Sequence, residues 1–181
     1  MEFKKNNIKV FAISGKARSG KDIVSKLIKE YYSDRKVIII SFGHYIKDYV
    51  KRISGWDGSD ENKPRDLLQQ IGIELIKNKV NDKLFINRIL EDIEIFSYFY
   101  DIIVIDDVRL VDELESLKEK VSDLISIRVN RENYEDYLTD SQKNHLTEID
   151  LDNTHSFDYI VLNDNNYDNL KETINNILRS V

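Results

Sequence analysis

A glycine-bounded loop near the beginning of the chain has the residues and spacing of a phosphate-binding site. Glycines let backbone N–H groups curl around phosphate oxygens, and a helix that begins directly after the loop points its positive end at the same place. The segment matches the pattern G-x-x-x-x-G-K and reads Gly15-Lys16-Ala17-Arg18-Ser19-Gly20-Lys21-Asp22. We predict that this loop binds ATP and that Lys21 reaches the β- and γ-phosphates. A purely structural strand-to-helix turn is the alternative.

Asp22 stands where this pattern usually has Ser or Thr, whose hydroxyl binds Mg²⁺. A carboxylate is also a hard oxygen ligand that can bind Mg²⁺ directly or through water. Its negative charge is costly beside a phosphate unless a metal ion is present. We therefore predict that Asp22 helps to bind Mg²⁺. The alternative is an acidic residue that only complements the dipole of the following helix.

The elements that must position this loop alternate along the chain. Apolar runs predict strands at about 8–14, 37–42, 102–105, 124–129 and 159–162. Helical patterns fill the intervals at about 22–32, 44–53, 82–96, 110–120 and 167–179, and a further helix begins at Pro64 with its apolar stripe at Leu67, Leu68, Ile71 and Leu75. This alternation predicts a parallel α/β sheet, which binds ligands at the carboxyl ends of its strands.

Length, charge and composition exclude several classes of protein. The chain has 181 residues, a net charge of −6 and no cysteine, so we expect one domain without disulfides, thiolate metal sites or a cysteine nucleophile. An acidic chain is a poor candidate for binding nucleic acid or an anionic membrane. The longest aliphatic run, residues 37–40, is too short to span a membrane, and no signal peptide is expected. These features predict a cytoplasmic protein.

Four motifs together resemble the deoxynucleoside monophosphate kinases of the phage and bacterial type, and the resemblance spans nearly the whole chain. The phosphate loop alone is also similar to that of animal-type phosphomevalonate kinase. Relatives often carry Phe-Pro-Asn-Glu where this chain has residues 110–113, and Ser where it has Thr147. In order, the motifs are residues 15–22, Pro64-Arg65-Asp66-Leu67-Leu68-Gln69-Gln70-Ile71-Gly72, Ile105-Asp106-Asp107-Val108-Arg109 and His145-Leu146-Thr147-Glu148.

The resemblance implies a P-loop kinase fold with three layers around a five-stranded parallel sheet. It also implies transfer of the γ-phosphoryl group of ATP to a deoxynucleoside monophosphate with Mg²⁺. The expected organisation is a single domain, 1–181, with an acceptor-binding insertion at about 43–100 and a lid at about 130–152. A kinase of another small phosphorylated metabolite and a non-catalytic nucleotide-binding module are the alternatives. The oligomeric state stays open, a homodimer included.

Three arginines are the candidates for neutralising the phosphates of the two substrates. Arg65 and Arg109 are expected to bind the acceptor phosphate, since an arginine can contact a phosphate through two parallel hydrogen bonds. The alternatives are a solvated cation for Arg65 and a salt bridge with Asp112 or Glu113 for Arg109. Arg131 is the candidate lid residue, with a plain surface arginine as the alternative. Lys21, Arg109 and Arg131 are the predicted catalytic residues.

The remaining candidates are acidic residues, a histidine and a tryptophan. Asp107 is preferred to Asp106 as a site residue and Mg²⁺ ligand, because adjacent side chains of a strand point to opposite faces. The resemblance implies that His145 and Glu148 belong to a polar cluster near the acceptor, and a solvated pair is the alternative. A zinc site there would need a third ligand that the sequence does not offer. Trp56 is a candidate for stacking on a base, with ordinary packing as the alternative.

Overall fold

Five parallel strands form a single sheet in this computed structural model, which describes residues 3–132, 138–154 and 156–181. The sheet order is β2-β3-β1-β4-β5. Its strands are β1 (Lys9–Ser14), β2 (Val37–Ile40), β3 (Ile102–Val108), β4 (Leu124–Arg131) and β5 (Tyr159–Asn163). The helices are α1 (Lys21–Tyr31), α2 (Phe42–Ser54), α3 (Arg65–Gln69), α4 (Leu84–Phe96), α5 (Val111–Lys120), α6 (Asp140–Lys143), α7 (Leu146–Ile149) and α8 (Tyr167–Ser180). The predicted three-layer α/β fold is thereby confirmed.

Two apolar clusters cover the two faces of the sheet. Phe11 and Ile13 of β1 pack with the cluster that includes Val24 of α1 and Ile174 of α8. Their strand neighbours Val10 and Ala12 belong to the other cluster, with residues of α4 and α5. This alternation along a strand is what the pleat of a sheet produces, and it holds β1 in the centre of the molecule.

The segment between β2 and β3 is a helical insertion with an apolar cluster of its own, centred on Val50, Ile71 and Ile76. Within it, helix α3 begins after Pro64, as predicted, but from Gln70 to Val80 the helix continues as a π-helix. The wider turn changes which side chains face inward. Ile76 is buried while Leu75 is 46% exposed, so the expectation that Leu75 belongs to the apolar stripe is wrong.

Strands β3 and β4 extend by two or more residues beyond their predicted ends. β3 continues through Asp106 and Asp107 to Val108. β4 continues to Arg131, because its last two residues pair with Leu162 and Asn163 of β5. Residues 130 and 131 of the predicted lid thus belong to the sheet. Lid residues 133–137 lie outside the described part of the chain, and the rest of the predicted lid contains α6 and α7.

In the described residues, no helix combines the length and apolar character that crossing a membrane requires.

Candidate active site

The loop between β1 and α1 is tightly packed at Gly15 and Gly20, the two glycines of the G-x-x-x-x-G-K pattern. A Cβ atom at Gly15 would lie 2.6 Å from the carbonyl oxygen of Val129. Gly20 has a φ of 99°, in the left-handed region, and a Cβ atom there would lie 2.4 Å from Nδ2 of Asn163. Only glycine allows these close approaches, and the left-handed φ of Gly20, without a shift of the neighbouring atoms. The curled shape that a phosphate requires is therefore built into the loop.

Side chains from β4 and β5 hold the loop from one side. Asn163 Nδ2 donates a hydrogen bond to the carbonyl oxygen of Ser19 at 2.9 Å. Arg131 donates from Nη1 to the carbonyl oxygen of Arg18 at 2.9 Å and from Nε to Oδ1 of Asn165 at 2.6 Å. The structure thus places Arg131 at the end of a paired strand and against the phosphate loop, rather than in a separate lid.

Lys21, the first residue of α1, is buried although it carries a charge. Its Nζ lies 3.4 Å from the carbonyl oxygen of Lys16, within the loop. Burial, and secondarily the positive charge of Arg109, lowers the pKa of Lys21 to about 8, while Asp22, Asp107 and Glu148 act in the opposite direction. A desolvated ammonium group at the base of the loop is suited to bind the phosphates of a nucleotide.

A β-bulge near the end of β3 brings two adjacent carboxylates into the same cavity. Ala12 pairs with Ile105 and Ser14 pairs with Val108, so β3 has one residue more than β1 across this interval. Strict alternation fails at such a bulge. Asp106 and Asp107 both line the cavity, and the premise that only one of them could face it is wrong.

The two carboxylates have different surroundings. Asp107 accepts hydrogen bonds from the first two N–H groups of α2, through Oδ1 from Phe42 at 2.7 Å and through Oδ2 from Gly43 at 2.8 Å. Asp106 has no hydrogen-bond partner in the described part of the chain, and burial, with the negative charges of Asp107 and Asp22, raises its pKa to about 7. Asp106 is thus the carboxylate that gains most from a cation.

The donor set suits Mg²⁺ in combination with a phosphorylated ligand. The described residues contain no group of three or more histidine, cysteine or acidic side chains arranged to hold a metal ion. Mg²⁺ commonly uses one or two carboxylates, substrate phosphates and water. Asp22, exposed at the start of α1, and Asp106 both line the cavity with free carboxylate oxygens, so these two residues fit the ion. Both oxygens of Asp107 already accept hydrogen bonds from α2.

This cavity, of about 390 Å³, extends from the phosphate loop to the helical insertion. Among its lining cations, Lys77 pairs with Asp112 and Lys63 pairs with Asp60. Within the described ranges, the side chains of Arg65 and Lys47 form no ion pair, although both line the cavity. These two cations are available to an anionic ligand.

Arg109 has a carboxylate partner that the sequence analysis did not anticipate. Its Nη1 donates to Oε1 of Glu148 at 2.7 Å, and the other oxygen of Glu148 accepts from the backbone N–H of Ala17 at 2.9 Å. Glu113 accepts from the backbone N–H of Arg109 and does not pair with its guanidinium. Glu148 therefore connects Arg109 directly to the phosphate loop.

His145 and Trp56 have structural contacts. Nδ1 of His145 accepts a hydrogen bond from the backbone N–H of Thr147 at 3.3 Å and caps the short helix α7. Burial lowers the pKa of His145, and its side chain is not among those that line the cavity, whereas Thr147 and Glu148 are. Trp56 donates from its indole nitrogen to the carbonyl oxygen of Ser59 and packs against the apolar cluster of the insertion.

Sequence reasoning missed Lys47, Asp106 and the pair formed by Arg128 and Asp152. Topology carried a signal for Lys47, because α2 directly follows the carboxyl end of β2, at the edge of the sheet where ligands bind. Asp152 accepts from Arg128 at 2.8 Å and from Lys16 at 2.7 Å. That pairing joins residues far apart in the chain, and no local pattern predicted it.

Comparison with known proteins agrees with this fold and family. The family model described as deoxynucleotide monophosphate kinase matches residues 46–174. No curated protein sequence matches significantly.

Solved structures of kinases share the fold at low sequence identity. A Mycobacterium tuberculosis APS kinase in complex with AMPPNP and APS is 10% identical with a TM-score of 0.55, covering 96% of this chain and 99% of the other. Shikimate kinase from Acinetobacter baumannii, in complex with shikimate, is 12% identical with a TM-score of 0.54 over 97% and 95% of the two chains. A sugar kinase from Janibacter is 10% identical with a TM-score of 0.57 over 95% of each chain.

The sheet order, the phosphate loop and the match over most of the chain agree with one another. The protein therefore has a P-loop kinase fold and belongs to the deoxynucleotide monophosphate kinase family.

Proposed function

We propose that this protein transfers the γ-phosphoryl group of ATP to a deoxynucleoside monophosphate, which becomes the diphosphate. The observation that carries the proposal is one cavity lined both by Lys21 of the phosphate loop and by Arg65 of the helical insertion. Transfer between two phosphorylated molecules requires a cation for each of them within one space. Family membership supports a nucleotide as the acceptor, and a kinase that uses ATP would act in the cytoplasm.

The loop between β1 and α1 would bind the phosphates of ATP. Its backbone N–H groups and the start of α1 supply partial positive charge, and Lys21 supplies a full charge. In the reaction, an oxygen of the acceptor phosphate forms a bond to the γ-phosphorus. The bond from that phosphorus to the β–γ bridging oxygen breaks, and its electron pair leaves with ADP. Lys21 would stabilise the negative charge that develops on the leaving oxygen.

The acceptor phosphate would bind at Arg65, with Lys47 and Arg109 nearby in the same cavity. A phosphate dianion approaching the γ-phosphoryl group is repelled by its negative charge, so these cations allow the two groups to approach each other. Arg65 lies in the first turn of α3 and has no competing ion pair in the described part of the chain. It can therefore direct its guanidinium to the ligand.

Mg²⁺ would be held by Asp22 and Asp106 together with the nucleotide. When bound, the ion neutralises charge on the phosphates of ATP. Asp106 would then be ionised despite its raised pKa, because a cation beside a buried carboxylate favours the charged form.

The segment from residue 138 to 152 would cover the cavity as a lid. Gln142 Nε2 donates to Oδ1 of Asp66 in α3 at 2.6 Å, and Asp152 accepts from Nζ of Lys16 in the phosphate loop at 2.7 Å. The segment therefore touches both the acceptor side and the donor side. Excluding water protects the transferring phosphoryl group from hydrolysis.

The test is a panel of the four deoxynucleoside monophosphates and their ribose counterparts, each assayed with ATP and Mg²⁺ for ADP formation. We expect at least one deoxynucleotide to give saturable turnover that is absent without the acceptor. Lys21→Met protein serves as the matched blank. Turnover with none of the nucleotides would contradict the proposal, and turnover with a phosphorylated non-nucleotide acid would assign a different acceptor.

A further inference from the structure

The acidic segment at residues 146–152, which contains α7, contacts the phosphate loop through two carboxylates. Glu148 accepts from the backbone N–H of Ala17 through Oε2 and from Arg109 through Oε1. Asp152, four residues later, accepts from Nζ of Lys16 and from Arg128. The side chain of Glu148 is only 10% exposed, so this contact lies inside the site.

The groups that bind Glu148 are of the kind that bind a phosphate. A backbone N–H of the loop and an arginine guanidinium both donate to oxygen atoms that carry negative charge. A carboxylate offers two such oxygens and is an acceptor of the same kind. Glu148 therefore occupies an anion position of the loop.

We propose that Glu148 is an internal competitor of the nucleotide phosphates, and that nucleotide binding displaces its carboxylate from Ala17 and Arg109. The inference rests on the proposed use of the loop as the ATP site. Two anions cannot share these donors without strong repulsion, so the side chain must leave for the phosphate to bind. When the carboxylate of Glu148 leaves, the guanidinium of Arg109 is free to bind a substrate phosphate instead.

This exchange has a cost and a benefit. Breaking the contacts of Glu148 costs free energy, which makes nucleotide binding less favourable, as for any ligand that binds a minor conformation. In return, Arg109 stays paired while Glu148 contacts the loop, and it becomes available only when a nucleotide displaces that carboxylate. The acidic segment thus couples occupation of the loop to completion of the site.

The experiment compares Glu148→Gln with the control Asp150→Asn by calorimetric titration with Mg²⁺ and the non-hydrolysable analogue β,γ-imido-ATP. Asp150 belongs to the same segment, but its carboxylate accepts from the backbone N–H of Val111 at 2.7 Å and makes no contact with the loop. We expect the Kd of the analogue to fall by about threefold to tenfold in Glu148→Gln, and to stay unchanged in Asp150→Asn. An unchanged or raised Kd in Glu148→Gln overturns the inference.

A second measurement on the wild-type protein avoids any loss of folding in the variant. The carboxyl ¹³C resonance of Glu148, assigned through its own backbone, should shift when Mg²⁺ and the analogue saturate the protein. A resonance that does not move would mean that the carboxylate stays in place, which also overturns the inference. If neither wild type nor Glu148→Gln binds the analogue, the loop is not the ATP site and the proposed function fails with it. Binding by the variant alone supports displacement.

Discussion

Asp106 and Asp107 are adjacent residues of β3, and both carboxylates line the same cavity because a bulge inserts one extra residue opposite β1. Like charges so close together oppose each other's ionisation. The two residues are distinguished by their partners: the N–H groups of α2 hold Asp107, whereas Asp106 is left for a ligand.

Asp106→Asn should stabilise the protein more at pH 8 than at pH 5. The wild-type carboxyl has a pKa near 7 in the folded state, above its unfolded value of 3.8, so the folded protein holds a proton that the unfolded chain has released. Wild-type stability therefore falls as the pH rises between these values, by up to about 1.4 kcal/mol per pH unit, and asparagine removes this dependence. Urea unfolding across pH 5–8, with exposed Asp82→Asn as control, measures the difference. Parallel curves for wild type and Asp106→Asn would refute it.

Asp107→Ala should lower the free energy of unfolding by about 1–3 kcal/mol, because the first two N–H groups of α2 lose their acceptor. Asp107→Asn keeps one oxygen and should be affected less. Chemical denaturation measures the free energy of unfolding of both variants. The control is Asp48→Ala on α2, where the Asp48 side chain is 47% exposed. Equal stability of Asp107→Ala and the control would mean that the cap contributes nothing.

Lys21→Met should lower kcat by about 10²-fold or more while the protein stays folded, since the ammonium group stabilises charge in the transition state. The removal of a buried charge should not destabilise the empty protein. Lys16 lies in the same loop and its ammonium group pairs with Asp152, so Lys16→Met should have the smaller effect on kcat. Steady-state kinetics measures kcat of both variants, and thermal melts show whether each is folded. A folded Lys21→Met protein with normal turnover would contradict the role assigned to Lys21.

Asp22→Ala should raise the Mg²⁺ concentration required for half-maximal activity, whereas Asp22→Thr should restore a ligand for the ion. Both variants keep helix α1, whose first turn is exposed at residue 22. A Mg²⁺ titration of wild type and both variants measures the effect. The same half-activation in all three proteins would reduce Asp22 to an acidic residue at a helix start.

Arg65→Ala should raise the KM of the acceptor by about tenfold or more and leave the KM of ATP nearly unchanged. Combining it with Lys47→Ala should cost less than the sum of the two single changes if both cations bind one phosphate. Arg52→Ala, an exposed cation of α2, is the matched control. An equal rise of both KM values in Arg65→Ala would move this residue out of the acceptor site.

The strands and the phosphate loop could be predicted because their signals are local. Runs of Val and Ile at 37–40 and 102–105 identify strands, and glycine spacing identifies the loop. The bulge at Asp106 could not be predicted, because it depends on how β3 pairs with β1 rather than on its own residues. The π-helix likewise moved Leu75 out of the apolar stripe that a period of 3.6 residues predicts.

Long-range contacts limited the prediction of the site. Arg131 was expected in a lid because a polar stretch follows it, but pairing with Asn163 extends β4 and brings its guanidinium to Arg18. Glu148 was expected near the acceptor, and its contact with Ala17, 131 residues away in the chain, was not predicted. Sequence spacing says nothing about such partners until the strand order is known.

The strand order β2-β3-β1-β4-β5 separates the two halves of the site in the gene as well as in space. Residues 42–96, which carry Lys47 and Arg65, leave the sheet at edge strand β2 and return at β3. The apolar cluster around Val50, Ile71 and Ile76 is separate from the sheet, whereas α4 packs on it. The side chains that hold the phosphate loop come from β4 and β5. Under the proposed function, the acceptor side of the site could therefore diverge by substitution around this cluster while the contacts that hold the phosphate loop are inherited unchanged.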